Sequence, residues 1–198
     1  MDNKKEEIIN VCKELYEKEN FKDITIKQIG EKISLSRTSI YNYFETKEEI
    51  FLAMLQIEYE KWTKELEYIL NNNDRLTKEK FAHLLAKTLS SKKRLLKLLS
   101  INLYDMEENS RLENLVEFKV SYKEAVETIK KCIIKFFPEK NNSEVENFIY
   151  TFFPLMYGIY PYVKLTAKQK IAMKRANIEF KNNKIYDIAY NGIIKLLN

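Results

Sequence analysis

Between Ser36 and Lys47 the chain sets a run of short or flat hydrogen-bonding side chains, Arg37, Thr38, Ser39, Tyr41, Asn42 and Tyr43, around two apolar residues, Ile40 and Phe44. In a helix the spacing of four turns Ile40 and Phe44 to one side and leaves the others on the remaining surface. Such a surface suits the edges and phosphates of duplex DNA. A major groove admits one helix, where arginine can bond guanine O6 and N7, asparagine can bond adenine, and a threonine methyl can touch thymine. Hydroxyls and Lys47, at the start of the next helix, suit phosphate, helped by backbone N–H groups at that N-terminus.

The elements that position these residues are legible as caps. Thr25 with Gln28, and Thr46 with Glu49, have the spacing of a capping box, in which side chains satisfy backbone N–H groups that a helix start leaves unpaired. Ser36 lies between them and can cap a helix over Arg37 to Phe44. The preceding helix spans roughly Ile26 to Ile33, with Ile26, Ile29, Gly30 and Ile33 as an inward stripe. Two short helices around a turn of about four residues make a helix-turn-helix, over about residues 25–44. The candidate DNA-binding set is Thr25, Ser36, Arg37, Thr38, Ser39, Tyr41, Asn42, Tyr43 and Lys47.

These residues resemble the TetR family of one-component transcriptional regulators. The family pattern I-x-E-[KR]-x-x-[VL]-S-[RK]-x-[ST]-[IL]-Y-x-[YH]-F-x-[ST]-K-E is met by Ile29, Glu31, Lys32, Leu35, Ser36, Arg37, Ser39, Ile40, Tyr41, Tyr43, Phe44, Thr46, Lys47 and Glu48. The match is close over the first quarter of the chain and loose beyond it. It implies an all-α protein: an N-terminal three-helix DNA-binding domain at 1–56, and a helical ligand-binding and dimerisation domain at 57–198. It also implies a homodimer through the last two long helices, a palindromic operator and a small-molecule effector. Two positions depart from the pattern. Ser34 stands where the family usually has Gly, at a helix end whose left-handed backbone is cheapest for Gly. Thr38 stands where the family often has Gly, early in the recognition helix, and is expected to narrow the accessible operators.

Composition fits this reading. The 198 residues are 45% hydrophobic, with three Gly and three Pro, which favours a few long helices over many strands and turns. Cys12 and Cys132 lie far apart without ligand spacing, so no disulfide scaffold or metal site is indicated. No signal-like or membrane-length apolar run occurs, and a cytoplasmic protein is expected, with no membrane partner. The net charge of +5 is misleading, because residues 1–50 hold nine basic against eleven acidic side chains. The DNA reading rests instead on residues 22–47, with five basic against three acidic, and strongly salt-dependent affinity is expected.

Periodicity places further helices from about Lys4 to Lys18, Lys47 to Leu70, Thr77 to Leu89, Ser91 to Asp105, Ser110 to Phe137 and Lys184 to Leu197. Phe21 is expected to close the corner after the first. The fourth helix, some twenty residues and roughly 30 Å long, can begin under the DNA-binding unit and end in the second domain. Capping-box spacing recurs at Ser110 with Glu113, Ser143 with Glu146 and Thr166 with Gln169. The segment from Phe148 to Lys164 is dense in aromatics and holds Pro154, Gly158 and Pro161, so a straight rod is not expected there. It reads either as a pocket for a flat or greasy molecule or as core and dimer interface. The candidate ligand-lining residues are Tyr104, Phe118, Tyr122, Phe153, Met156 and Tyr157. Lys92, Lys93, Arg94 and Lys97 read as a solvated face or as an acidic headgroup site.

An enzyme is not indicated. His83 is the single histidine and sits among apolar neighbours with no nucleophile beside it, which favours a structural role. No phosphate loop, dinucleotide turn or metalloprotease motif occurs, and no cofactor is implied. Trp62 reads as a packing residue. The leading expectation is a homodimeric, ligand-responsive transcription factor, most simply a repressor. The alternatives are a helical dimeric adaptor, or a ligand-sequestering protein whose helix-turn-helix has lost its target.

Overall fold

The caps read from the sequence form where local chemistry is strongest. In the computed structural model, which describes residues 3–101 and 103–198, every regular element among the described residues is helical. Helix α1 (Asn3–Lys18) buries Ile8, Ile9, Cys12, Leu15 and Tyr16. Helix α2 (Ile26–Ile33) opens on the expected box: the Gln28 N–H donates to Thr25 Oγ1 at 3.2 Å and the Thr25 N–H donates to Gln28 Oε1 at 2.8 Å. It closes on Ser34 in the left-handed conformation at φ 54°. A non-glycine residue there costs about 1–2 kcal/mol, so the departure from glycine is a stability cost rather than a change of fold. Ser36 Oγ accepts the Ser39 N–H at 3.1 Å and starts α3 (Arg37–Tyr41).

Helix α3 stops about one turn earlier than the spacing predicts. The N–H groups of Tyr43 and Phe44 both donate to the Ile40 carbonyl, at 2.9 and 3.0 Å, which tightens the last turn. Phe44 leaves the helix and enters the core at 1% exposure. The long α4 follows (Lys47–Asn71). Its start is capped by Thr46 Oγ1, which accepts the Glu49 N–H at 3.1 Å. The Glu49 carboxylate reaches the Glu45 N–H at 2.8 Å rather than that of Thr46, so the expected box is offset by one residue.

The remaining helices are α5 (Lys78–Ser91), α6 (Lys93–Leu99), α7 (Leu103–Glu108), α8 (Leu112–Phe136), α9 (Asn142–Val163), α10 (Ala167–Arg175) and α11 (Ile185–Leu197). Three differ from expectation. The single helix from Ser91 to Asp105 is two, because Ser100 ends α6 with its hydroxyl on the Lys97 carbonyl at 2.7 Å; Asn102, within that span, lies outside the described residues. Ser110 does not cap α8, since its hydroxyl turns back to the Met106 carbonyl at 2.6 Å. Helix α9 is capped by Asn141 with Glu144 instead of Ser143 with Glu146, Asn being a strong cap that comes first in the chain. It continues as helix through Pro154 and Pro161. The Thr166–Gln169 box forms as read.

Two compact units do not follow chain order: one joins Met1–Glu60 with Ile101–Lys123, the other Lys61–Ser100 with Glu124–Asn198. In the first, the rings of Tyr16 and the half-buried Phe21 meet Phe51 edge-on at 5.0 and 4.7 Å, and a fully buried ring such as Phe51 contributes about 1.5–3 kcal/mol. In the second, Phe81 packs on Phe136 and Phe137 while Trp62 packs on Phe152 and Phe153. His83 is structural there, with Nδ1 2.9 Å from the Tyr186 hydroxyl. Cys12 and Cys132 are free and buried, and burial pushes both thiols up to about 12, which leaves them protonated and inert at neutral pH. No helix among the described residues is long and apolar enough to cross a membrane.

Candidate nucleic-acid interface

Ile40 is fully buried and anchors α3, while Arg37, Thr38 and Tyr41 are exposed on the same short helix and Asn42, its C-cap, is exposed just after it. The helix is held against α2 at Gly30. A methyl group placed there would stand 2.7 Å from the Leu35 carbonyl oxygen and 3.3 Å from Ile40 Cδ1. Glycine therefore sets how closely the two helices cross, a role that its place in the apolar stripe did not reveal.

Arg37 is not a freely swinging side chain. Its Nε donates to the Tyr41 hydroxyl at 2.8 Å and its guanidinium lies 5.4 Å from the centre of that ring. The pairing leaves the outer guanidinium nitrogens for a partner and reduces the side-chain entropy lost on binding. Ser36 and Ser39 hydroxyls lie 2.8 Å apart, and Ser39 is half-buried. Thr25 is exposed, its hydroxyl engaged with Gln28. Lys47 is half-buried, with its ammonium donating to the Phe21 carbonyl at 2.9 Å and lying 4.3 Å from the Phe21 ring centre. An ammonium carries three donors, so Lys47 both ties down this corner and keeps hydrogen-bonding capacity. Tyr43 is half-buried, and its carbonyl accepts from Arg111.

Arg111 is the residue that sequence reasoning missed. It precedes α8, yet its side chain closes over the exit of α3. Its backbone N–H and Nε donate to Glu49 Oε1 at 2.9 and 2.8 Å, Nη2 donates to Glu49 Oε2 at 2.9 Å and to the Tyr43 carbonyl at 3.0 Å. Nη1 lies 3.6 Å from Glu45. With the Glu45 N–H also on Oε2, both oxygens of Glu49, whose side chain is 0% exposed, have two donors each. Burial alone would discourage a charge on Glu49; the hydrogen bonds and charge of Arg111 outweigh it, and the net effect lowers its pKa from the ordinary 4.5. Thr46 adds a bond from its hydroxyl to the Asn109 carbonyl at 2.8 Å. The α3–α4 corner is thus locked to the segment before α8. The signal in the sequence was faint: an Arg read as the first turn of a helix starting at Ser110, and a Glu already explained as a cap.

The ligand-lining candidates separate. Tyr104, Phe118 and Tyr122 belong to the first unit, and Phe153, Met156 and Tyr157 to the second. Tyr104 is 86% exposed, whereas Phe118 is buried against Tyr59 and Tyr122. Phe153 and Met156 are buried core residues of α9. At the start of α6, Lys92, which precedes it, is engaged by Glu65, and Lys93 is exposed.

Residues 8–54 match the model of bacterial regulatory proteins of the tetR family, and residues 56–182 match the model of the tetracyclin repressor-like C-terminal domain. Among curated proteins, the chain is 36% identical over 63 residues to the HTH-type transcriptional regulator QacR of Staphylococcus aureus, a match spanning 32% of this chain and 34% of that protein. Among solved structures, the fold is similar to the fatty acid degradation regulator FadR of Bacillus halodurans, with a TM-score of 0.63 at 13% identity over 100% of this chain and 96% of that one. The MbdR regulator of Azoarcus sp. CIB gives 0.59 at 19% identity, covering 98% and 96%. FadR of Bacillus subtilis, solved in complex with stearoyl-CoA, gives 0.59 at 16% identity, covering 96% of each chain.

Proposed function

Because the chain belongs to the TetR family of bacterial transcriptional regulators, we propose that it is a ligand-responsive repressor, binding a palindromic operator as a homodimer and released by a small hydrophobic or aromatic effector. The observation that carries the DNA reading is the division of α3 and its C-cap into a buried anchor, Ile40, and an exposed row of Arg37, Thr38, Tyr41 and Asn42. Arg37 reads a guanine, Asn42 an adenine, and Thr38 contributes apolar contact in the groove. Lys47, Thr25 and the serine hydroxyls fix the helix on phosphate. The DNA-binding domain is residues 1–56 and the effector and dimerisation domain residues 57–198.

One such helix reads only a few base pairs, so a twofold dimer supplies the second half-site. Helix α9 offers the surface for it. Tyr150, Pro154, Gly158 and Tyr162 recur every four residues and are all exposed, Tyr150 at 75% and Tyr162 at 72%. A methyl at Gly158 would meet nothing within 4 Å, leaving room for the close approach of a second helix.

The effector acts through differential affinity for two arrangements of the dimer, only one of which spaces the two α3 helices for adjacent major grooves. The Arg111 lock supplies the coupling. Helix α8 contributes to both compact units without a break, and the residues just before it, Asn109 and Arg111, are bonded to the α3–α4 corner. Footprinting on the DNA that flanks its own gene is expected to show two protected half-sites about one helical turn apart. Absence of protection, or a single isolated half-site, would overturn the dimeric repressor.

A further inference from the structure

In the second unit, α4 and α5 enclose an open groove of about 580 Å³, the size of a drug-like ligand site. Ile69 and Leu84 give it an apolar floor, the exposed Tyr68 ring forms one wall, and Lys64 and Lys87 stand at its edge. The carboxylate that also lines it, Glu65, is occupied by Lys92 and by the Ser91 hydroxyl at 3.4 Å. Lys64 and Lys87 have no ion-pair partner among the described residues, so the mouth of the groove carries uncompensated positive charge above an apolar base. We propose that this groove binds an amphiphilic organic anion, its apolar or aromatic body against Tyr68, Ile69 and Leu84 and its acidic head between Lys64 and Lys87. The inference deepens the effector reading of the second unit, and rests on it, by naming a site and a ligand class.

The groove has a built-in reporter. Thr88 lines it, accepting the Trp62 Nε1–H at 2.9 Å and donating to the Leu85 carbonyl at 2.8 Å. Trp62 is the single tryptophan of the chain. Ligand packed on Thr88 alters the environment of that indole bond and hence its emission, without touching the ring.

The test uses the full-length protein without DNA, titrated by calorimetry with 4-butylbenzoate and with its neutral amide, while Trp62 emission is followed. The benzoate is expected to bind about tenfold more tightly than the amide and to shift the emission. The double variant Lys64→Gln/Lys87→Gln is expected to lose that tenfold preference and leave amide binding unchanged, since each exposed charge contact is worth a few-fold in affinity. Equal affinity for benzoate and amide, or a preference that survives the double substitution, would overturn the site. Because neither readout involves an operator, a failure of the protein to bind DNA leaves the result on the groove intact. Conversely, release from DNA by a neutral compound that does not compete with the benzoate would sink the groove as the effector site and spare the repressor.

Discussion

Arg111→Ala is expected to lower the unfolding free energy by about 2–3 kcal/mol at pH 7. Breaking a buried ion pair from one side costs roughly 3–5 kcal/mol, and part of that is discounted because Arg111 is itself 38% exposed and screened by water. The loss comes from Glu49, which stays buried with one side-chain bond fewer on each carboxylate oxygen, the Arg111 backbone N–H on Oε1 being retained, and without its compensating charge. The pH dependence follows from the sign of the shift. Burial opposes ionisation of Glu49, Arg111 overrides it, and the folded pKa lies below the ordinary 4.5. A carboxylate with a lowered folded pKa contributes stability that is present above its unfolded pKa and is lost as pH falls through the folded value. The gap between wild type and variant is therefore widest at neutral pH and closes on acidification below about pH 4.5. Urea unfolding followed by circular dichroism at pH 7 and pH 4 measures both. Arg111→Lys is expected to restore only part of the loss, since one ammonium cannot reproduce the forked contacts to two carboxylate oxygens and a carbonyl. Stability at pH 7 equal to wild type in Arg111→Ala would remove Arg111 from the role of a lock.

Gly30→Ala is expected to reduce DNA affinity by at least tenfold. Alanine in a helix interior gains about 1 kcal/mol over glycine, so by propensity alone the substitution stabilises α2. The added methyl meets the Leu35 carbonyl oxygen at 2.7 Å, and overpacking against backbone costs about 1–3 kcal/mol. Leu35 cannot yield independently, because its N–H is bonded to the Gly30 carbonyl at 3.1 Å. The turn must move, and α3 moves with it, off the line of the groove. Gel-shift titration with operator DNA reads the affinity, and thermal unfolding reads the cost. An unchanged affinity with a raised melting temperature would show that the turn absorbs the methyl without reorienting α3.

How far the sequence reached follows from the range of each interaction. Thr25 with Gln28 and Ser36 with Ser39 act over three residues, so their chemistry was readable and the helix starts agree. The left-handed Ser34 was readable only through the family resemblance, which places Gly at that helix end. The end of α3 was not, because Phe44 is drawn out of the helical path by the core rather than by any local stop signal. Ser110 and Ser143 had the right spacing to cap, but hydroxyls also bond backward to carbonyls, and an Asn stood earlier in the chain. The Arg111–Glu49 lock joins residues 62 apart, and no periodicity points across such a gap. For the site, sequence supplied the types on α3, while the structure added their posture: Arg37 braced by Tyr41, and Lys47 engaged at Phe21. Neither pairing was read beforehand, although Arg37 and Tyr41 are four apart and face each other on any helix.

The claim on which the rest depends is that α3 reads base edges, with Arg37 on a guanine. It is tested most directly by titrating wild type and Arg37→Ala against an operator and its single-base variants at fixed salt. If α3 lies in the major groove, Arg37→Ala loses about 1–3 kcal/mol of discrimination at one base pair of each half-site and keeps its preferences elsewhere. If Arg37→Ala retains the base preferences of wild type at every position, α3 is not the reading helix.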